Sequence, residues 1–347
     1  MRALEYRAPR TMELTDVPAP RAAEGELVLD VEAAGICGTD LKIARGEHRL
    51  YPAGTVRVPG HEFVGRVREN RSDRTDLTEG RLVAVAPNIG CGRCVACAAG
   101  RSNLCLHYAS VGLTVDGAFA ESVRMPRRAV EQGNAIPVPD GLDPLVAVLM
   151  EPLAAVLRGL RAVAAGAQDT LAVLGAGPIG LLAVVLARQL GVQQVLVSQT
   201  SAPRRALARQ FGADVTVDPR TEDLGRRVAE ATDGRGADCV LVATPSPAVF
   251  TDAVAIAALG GRVNFFAGLP SGAGAVTLDA NLVHYRELLV TGSTANTTQD
   301  CVDALAVLAE HPDEYRPLVT HRYPLADAEA AFRAAAGGDA LKVVVEP

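Results

Sequence analysis

Residues 170–191 read TLAVLGAGPIGLLAVVLARQLG: a short apolar run, a glycine-rich turn, then a longer apolar stretch at helical spacing. A strand, a tight turn and a helix in that order leave few folds open. Gly175 permits the tight turn, Gly177 lets a pyrophosphate approach the backbone, and Gly180 lets the helix pack closely on the strand. Pro178 and Ile179 open the helix, whose first N–H groups are free to meet an anion. The glycine pattern alone is weak, so its context has to carry it.

The context does so. VQQVLVSQ, PRRALARQFGA, VTVD, TEDLGRRVAEATDG, ADCVLVAT, PAVFTDAVAIAAL and GRVNFFAG follow, strand-like and helix-like by turns. Such alternation predicts a doubly wound parallel sheet, which ELLVTGS extends. At the end of the second strand a carboxylate would grip the ribose 2′-hydroxyl of NAD. This chain has Gln199 there, preceded by Ser198 and followed by Arg204 and Arg205. No carboxylate repels a 2′-phosphate and two arginines can receive one, so NADP is expected ahead of NAD.

Before residue 140 the character differs. ELVLDVEA at 26–33 alternates like a half-buried strand, as do residues 63–70 and 81–86, with frequent Gly and Pro between them. A mainly β region with irregular loops is expected. Within it GCGRCVACAAGRSNLC carries Cys91, Cys94, Cys97 and Cys105, spaced C-x2-C-x2-C-x7-C. The N-terminal residues lack an apolar leader, so a cytoplasmic location with reduced thiols is expected. There the four thiolates predict a closed structural zinc site in a lobe at 88–106, ahead of an iron–sulfur cluster, because no other motif asks for an electron relay.

A second set of polar residues is dispersed. VPGHEFV holds His61 and Glu62, GICGTDLK holds Cys37, Thr39 and Asp40, and LMEPLAAV holds Glu151. Cysteine, histidine and glutamate can complete a zinc shell that keeps one position open for catalysis. At 347 residues the chain is long enough for two domains. A net charge of −6 and the lack of a basic stripe argue against nucleic acid. Glycines and Pro178 break the most apolar stretch, which argues against a membrane span.

GICGTD, PGHEFVG, the four-cysteine lobe, EPLA and GAGPIG, in that order, resemble the zinc-dependent medium-chain dehydrogenases/reductases of the alcohol dehydrogenase superfamily. The resemblance spans essentially the whole chain. It is nearest to the sorbitol and polyol dehydrogenase branch, through NFFAGLPSG and NLVHYRELLVTGS within residues 264–293. It implies an α/β protein: a GroES-like, mainly-β catalytic domain from residues 1–150 and 289–347, and a doubly wound Rossmann cofactor domain at 151–288. It implies that Cys37 and His61 ligate a catalytic zinc, that Glu62 and Glu151 supply or exchange the remaining protein ligand, and that Thr39 passes the hydroxyl proton outward. Asp40 would support them.

The resemblance further implies about two zinc ions per chain, one in each ligand set. The activity implied is hydride transfer between a secondary alcohol (polyol, cyclitol or sugar-derived) and NAD(P), in a homodimer or homotetramer. L-Threonine-type dehydrogenases using NAD share CGTD and GHE and are the alternative. A non-catalytic zinc-stabilised NAD(P)H-binding protein is an alternative of another class, opposed by the complete ligand set. One departure stands out. GSTANTTQD lacks the arginine and aromatic residue with which sorbitol enzymes hold polyol hydroxyls, which puts sorbitol itself in doubt. His48, in GEHRLYP, belongs either to the pocket or to a surface loop.

Overall fold

The computed structural model describes residues 1–270 and 272–347; Ser271, within the stretch 264–293, lies outside the described residues. The chain divides into two compact units, one of residues 1–154 and 295–347, the other of 155–294.

The first unit is built on a seven-stranded sheet. The alternating run near residue 26 becomes the strand Leu27–Ile36. Its neighbour Glu62–Asn70 runs antiparallel, with Gly35 opposite Glu62. Beyond it come Leu82–Val85 and Ala135–Pro137. On the other side the last strand of the chain, Lys342–Glu346, pairs antiparallel with Leu27–Ile36, placing Val343 opposite Ile36. Val319–Pro324 closes that edge, and Ser122–Met125 pairs off the path with Leu27–Ile36. Leu27, Leu29, Phe63, Val67, Val83, Phe119, Val343 and Val345 form one buried cluster over this sheet. Each such side chain contributes about 1.5–3 kcal/mol by leaving water. A separate two-stranded ladder, Asn88–Ile89 with Ala109–Ser110, brackets the cysteine segment.

The second unit is a six-stranded sheet of parallel neighbours. Its order is Val215–Val217, Gln194–Ser198, Thr170–Leu174, Ala237–Val242, Ala257–Phe265, Leu289–Gly292. The order reverses direction between Thr170–Leu174 and Ala237–Val242, and ligands of such sheets bind outside that crevice. The helix Pro178–Gln189 has an unbroken buried run from Gly180 to Ala187, which is why its sequence is apolar all round. The expected architecture is therefore present: a mainly β unit and a doubly wound parallel sheet. Among the described residues no helix is long and apolar enough to cross a membrane.

The turn that leads into Glu62–Asn70 is held tightly. Gly60 has φ +100°, and a Cβ there would lie 2.8 Å from the Phe119 nitrogen. The turn is stitched to the segment at 118–119, with Ala118 N–H donating to the Gly60 carbonyl at 3.0 Å and Phe119 N–H to that of Pro59 at 3.1 Å. Only glycine accepts both the left-handed backbone and the close approach. Gly60→Ala is expected to lower stability by about 1–3 kcal/mol, from strain and overpacking, read as a lower urea midpoint at unchanged slope.

Candidate active site

Three chain segments meet where the strand Leu27–Ile36 ends. Cys37 follows that strand directly and caps the helix Gly38–Arg45. Its Sγ accepts from Thr39 N–H at 3.2 Å while Asp40 Oδ2 accepts from Cys37 N–H at 2.9 Å. This is a capping box with a thiol in place of the usual hydroxyl. The capping fixes Cys37 Sγ 3.2 Å from His61 Nε2. Glu62 opens the next strand, and its carboxylate joins the pair. One ligand atom each from Cys37, His61 and Glu62 lies within 4.8 Å of the others.

The cluster is buried and charged. Asp40 and Glu62 are 0 % and 2 % exposed, and His61 is 7 % exposed, so their charges have to be matched within the protein. His61 Nδ1 faces Asp40 Oδ1 at 3.5 Å, and both atoms are buried without a hydrogen-bond partner. Burial alone would hold the imidazole neutral, but Cys37 and Asp40 together raise its pKa well above the ordinary value. Burial, reinforced by Asp40, raises the Cys37 thiol. Burial also opposes ionisation of Asp40, yet His61 and the Cys37 N–H hold its carboxyl low. A thiol, an imidazole nitrogen and a carboxylate at this spacing suit a zinc ion with one position left over. Asp40 stands behind the imidazole, where a carboxylate orients a ligating histidine.

Sequence reasoning missed Lys342. It begins the final strand, is 3 % exposed, and its Nζ donates to Glu62 Oε2 and, at 3.4 Å, to the Ile36 carbonyl. Burial disfavours its charge, but Glu62, with Cys37 and Glu151, outweighs burial and raises its pKa. The available signal was a lone lysine heading the apolar run KVVVE.

Glu151 belongs to the same unit but not to the cluster of three. Its Oε1 accepts from Asn296 Nδ2 at 2.7 Å. Burial and then Glu62 push its pKa up. Thr39 is half-buried beside Cys37. His48 is half-buried too, with its ring edge-on to Tyr51 at 6.1 Å and its Nδ1 accepting from Leu50 N–H at 3.3 Å.

The four lobe cysteines also converge: Cys91, Cys94, Cys97 and Cys105 place their sulfurs within 4.8 Å of one another, and none is in a disulfide. Backbone N–H groups point at the sulfurs, from Cys91 and His107 to Cys105 at 3.2 and 3.3 Å, and from Cys94 to Cys91 at 3.4 Å. The Cys97 N–H holds the Cys94 thiol down to about 6. Burial pushes Cys97 up to about 11. Four sulfurs ringed by N–H donors suit a closed tetrahedral zinc site.

In the second unit the glycine turn has the expected shape. A Cβ on Gly180 would fall 1.9 Å from the Gly175 carbonyl oxygen, so helix and strand touch there. A Cβ on Gly177 would meet nothing within 4 Å, which leaves space for a phosphate at the cap of Pro178–Gln189. Arg204 donates to the Ala176 carbonyl in the same turn at 3.2 Å. Ser198 is buried at the strand end, and Gln199 Oε1 accepts from Ser201 N–H at 3.2 Å.

Arg205 is more committed than the sequence suggested. It donates to the Gln199 and Thr200 carbonyls at 2.6 and 2.8 Å and pairs with Asp218 at 3.1 Å. Arg220 grips the same Asp218 carboxylate at 3.0 and 2.8 Å, keeps an exposed side chain, and holds that carboxyl well below the usual range. Asp218 and Arg220 lie in VDPRTED, on the next strand's end, and were not singled out from sequence.

Two family models match this chain: the alcohol dehydrogenase GroES-like domain over residues 23–140 and the zinc-binding dehydrogenase over residues 178–310. The L-threonine 3-dehydrogenase of Bacillus subtilis (strain 168) is 34% identical over 342 residues, 96% of this chain and 94% of that protein. A zinc-binding dehydrogenase from Sinorhizobium meliloti 1021, solved bound to NADP, is 34% identical with a TM-score of 0.92, covering 100% of this chain and 99% of the other. Alcohol dehydrogenase TADH from Thermus sp. ATN1 is 29% identical with a TM-score of 0.91, over 100% and 99% of the two chains. The chain belongs to the zinc-dependent medium-chain dehydrogenases. It is an NAD(P)-dependent oxidoreductase of the alcohol dehydrogenase type, acting on small-molecule alcohols.

Metal analysis of the purified protein is expected to find about two zinc ions per chain. Cys94→Ser should leave about one and lower the melting temperature, because a closed site stabilises its lobe directly. A lobe that stays metal-free in reduced protein would remove the structural site.

Proposed function

We propose that the chain interconverts a small secondary alcohol and its ketone, with NADP as the favoured cofactor. The observation that carries this reading is the convergence of Cys37, His61 and Glu62 within 4.8 Å, next to Thr39. Zinc held there would supply Lewis acidity toward an alcohol or carbonyl oxygen, and a bound nicotinamide would supply the hydride chemistry. Cys37 Sγ and His61 Nε2 would be the fixed ligands. Glu62 and Glu151 supply or exchange the third. Asp40 steadies the imidazole from its Nδ1 side, and Lys342 balances the charge of Glu62. Thr39 takes the proton from the substrate hydroxyl and passes it outward.

A polyol, cyclitol or sugar-derived alcohol is the first substrate class. L-Threonine is the second, supported by the similarity to the Bacillus subtilis enzyme. Polyols, cyclitols and L-threonine, each assayed with NADP and NAD for nicotinamide absorbance, separate these readings. Turnover of none of them by zinc-loaded protein would sink both. His61→Ala is expected to abolish turnover and spare cofactor binding, because His61 and the glycine turn lie in different units. Cofactor fluorescence reads the binding.

For the cofactor, Arg205 and Arg220 share a single carboxylate, which leaves a net positive locus beside the uncharged Gln199. A 2′-phosphate there gains a charge-assisted contact, and the Sinorhizobium meliloti relative was solved with NADP. NADP is expected to be preferred roughly tenfold in kcat/KM, about 1–2 kcal/mol. Gln199→Asp should reverse the preference toward NAD. Strong NAD preference in the unmodified protein would show that Gln199 holds the ribose unaided.

We place the protein in the cytoplasm, where the free lobe cysteines stay reduced and able to bind metal. A homodimer or homotetramer fits the edge strand Leu289–Gly292, whose Leu289 is exposed, as are Leu259 and Tyr285 in the segments beside it. An uncovered apolar edge invites pairing with a second copy. Leu289→Asp is expected to shift the sedimentation coefficient toward monomer.

A further inference from the structure

A chain of buried amides runs from the base of the cysteine lobe to Glu151. Tyr108, three residues beyond Cys105, donates its hydroxyl to Asn88 Oδ1 at 2.5 Å. Asn88 Nδ2 donates to Asn296 Oδ1 at 2.8 Å, and Cys301 Sγ approaches the same oxygen at 3.4 Å. With Oδ1 taken by two donors, Asn296 has its Nδ2 turned the other way. That group donates to the Glu151 carbonyl at 3.1 Å and to Glu151 Oε1 at 2.7 Å. Asn88 is 4 % exposed and Asn296 0 %, so no water competes for these bonds. The amide orientation at each step is set by the step before it: a flip of Asn88 would turn its Nδ2 toward the tyrosine hydroxyl and its oxygen toward Asn296 Oδ1. Both lobe ends feed the chain. Asn88 lies three residues before Cys91 and opposite Ser110 in the short ladder, and Tyr108 N–H donates to the Cys105 carbonyl at 3.2 Å.

We propose that Asn296 is a positioning residue that holds the Glu151 carboxylate back from the Cys37–His61–Glu62 cluster, and that the Tyr108–Asn88–Asn296 relay ties that position to the order of the cysteine lobe. Three facts converge on it. Glu151 is the predicted ligand that the cluster of three leaves out, Asn296 Nδ2 is the group that grips it, and Asn296 Oδ1 is held in turn by Asn88. The lobe then has a second task beyond its own stability. Disorder at the lobe base frees Asn88, which frees Asn296, which frees Glu151 to enter the ligand set.

The proposal rests on the reading of Glu151 as an exchangeable ligand, and the test separates the two. The probe is protein with cobalt(II) in place of zinc at the Cys37–His61 site, whose visible bands report the ligand set. Asn296→Ala is expected to shift those bands and to lower kcat about ten- to a hundredfold, the usual range for an outer partner of a metal ligand. Tyr108→Phe removes one hydroxyl and should give the same shift, smaller, in a protein that folds normally. Both effects should vanish in a Glu151→Gln background, because both act through that carboxylate; a merely structural role would persist there. With Glu151 held back at rest, Glu151→Gln is expected to keep the resting bands and to lower kcat; an unchanged kcat overturns the ligand reading, and this proposal with it. If Glu151→Gln lowers kcat but Asn296→Ala and Tyr108→Phe change neither bands nor kcat, or their shifts survive without the Glu151 carboxylate, the proposal alone is overturned.

Discussion

The antiparallel register of Leu27–Ile36 against its two neighbours governs the candidate metal corner. With Gly35 opposite Glu62 on one side and Ile36 opposite Val343 on the other, the end of one strand meets the beginnings of two more. Cys37, Glu62 and Lys342 come from those three ends, and His61 precedes Glu62 by one residue. A register slip of one residue would turn Glu62 to the opposite face of the sheet. Gly35 belongs to the same constraint, since a Cβ there would stand 2.7 Å from Glu62 Oε2. The glycine leaves the room that the carboxylate needs.

Charge balance at that corner follows from burial. Several ionisable groups share a volume that water barely reaches, so each is held by a neighbour of opposite sign: Glu62 by Lys342, Asp40 by His61 and the Cys37 N–H. Removing one partner of such a pair is far costlier than the pair is stabilising. The corner is therefore over-determined around its candidate metal-ligating atoms, with the imidazole steadied from behind and one carboxylate tethered. Such rigidity suits a site that keeps one coordination position open.

The nucleotide unit uses backbone where the metal corner uses side chains. Its glycine turn is a matter of free space and close approach, while the strand ends beside it carry the charges. There Asp218 draws Arg205 and Arg220 together, and the guanidinium of Arg205 is occupied chiefly by backbone carbonyls. Arg205, which reads in the sequence as part of a phosphate clamp, thus also acts as a brace between two strand ends. The exposed face of Arg220 is what the brace leaves toward solvent.

Local signals made much of this legible in the sequence. The α/β alternation, the GAGPIG turn and the C-x2-C-x2-C-x7-C spacing depend on residues near one another along the chain, and each folds into a compact local unit. The sequence could also nominate Cys37, His61 and Glu62, because their residue types suit zinc. What it could not reveal were the partners that arrive from far along the chain. Lys342 reaches Glu62 across 280 positions, and Asn296 reaches Glu151 across 145. No periodicity or spacing encodes such meetings. The sequence by itself determined which local units form and which chemistry they can carry. Only the tertiary structure decided that Glu151 is held by an amide outside the cluster and that Glu62 is held by a lysine inside it, because strand register and burial, not proximity in sequence, select which buried charges must satisfy one another.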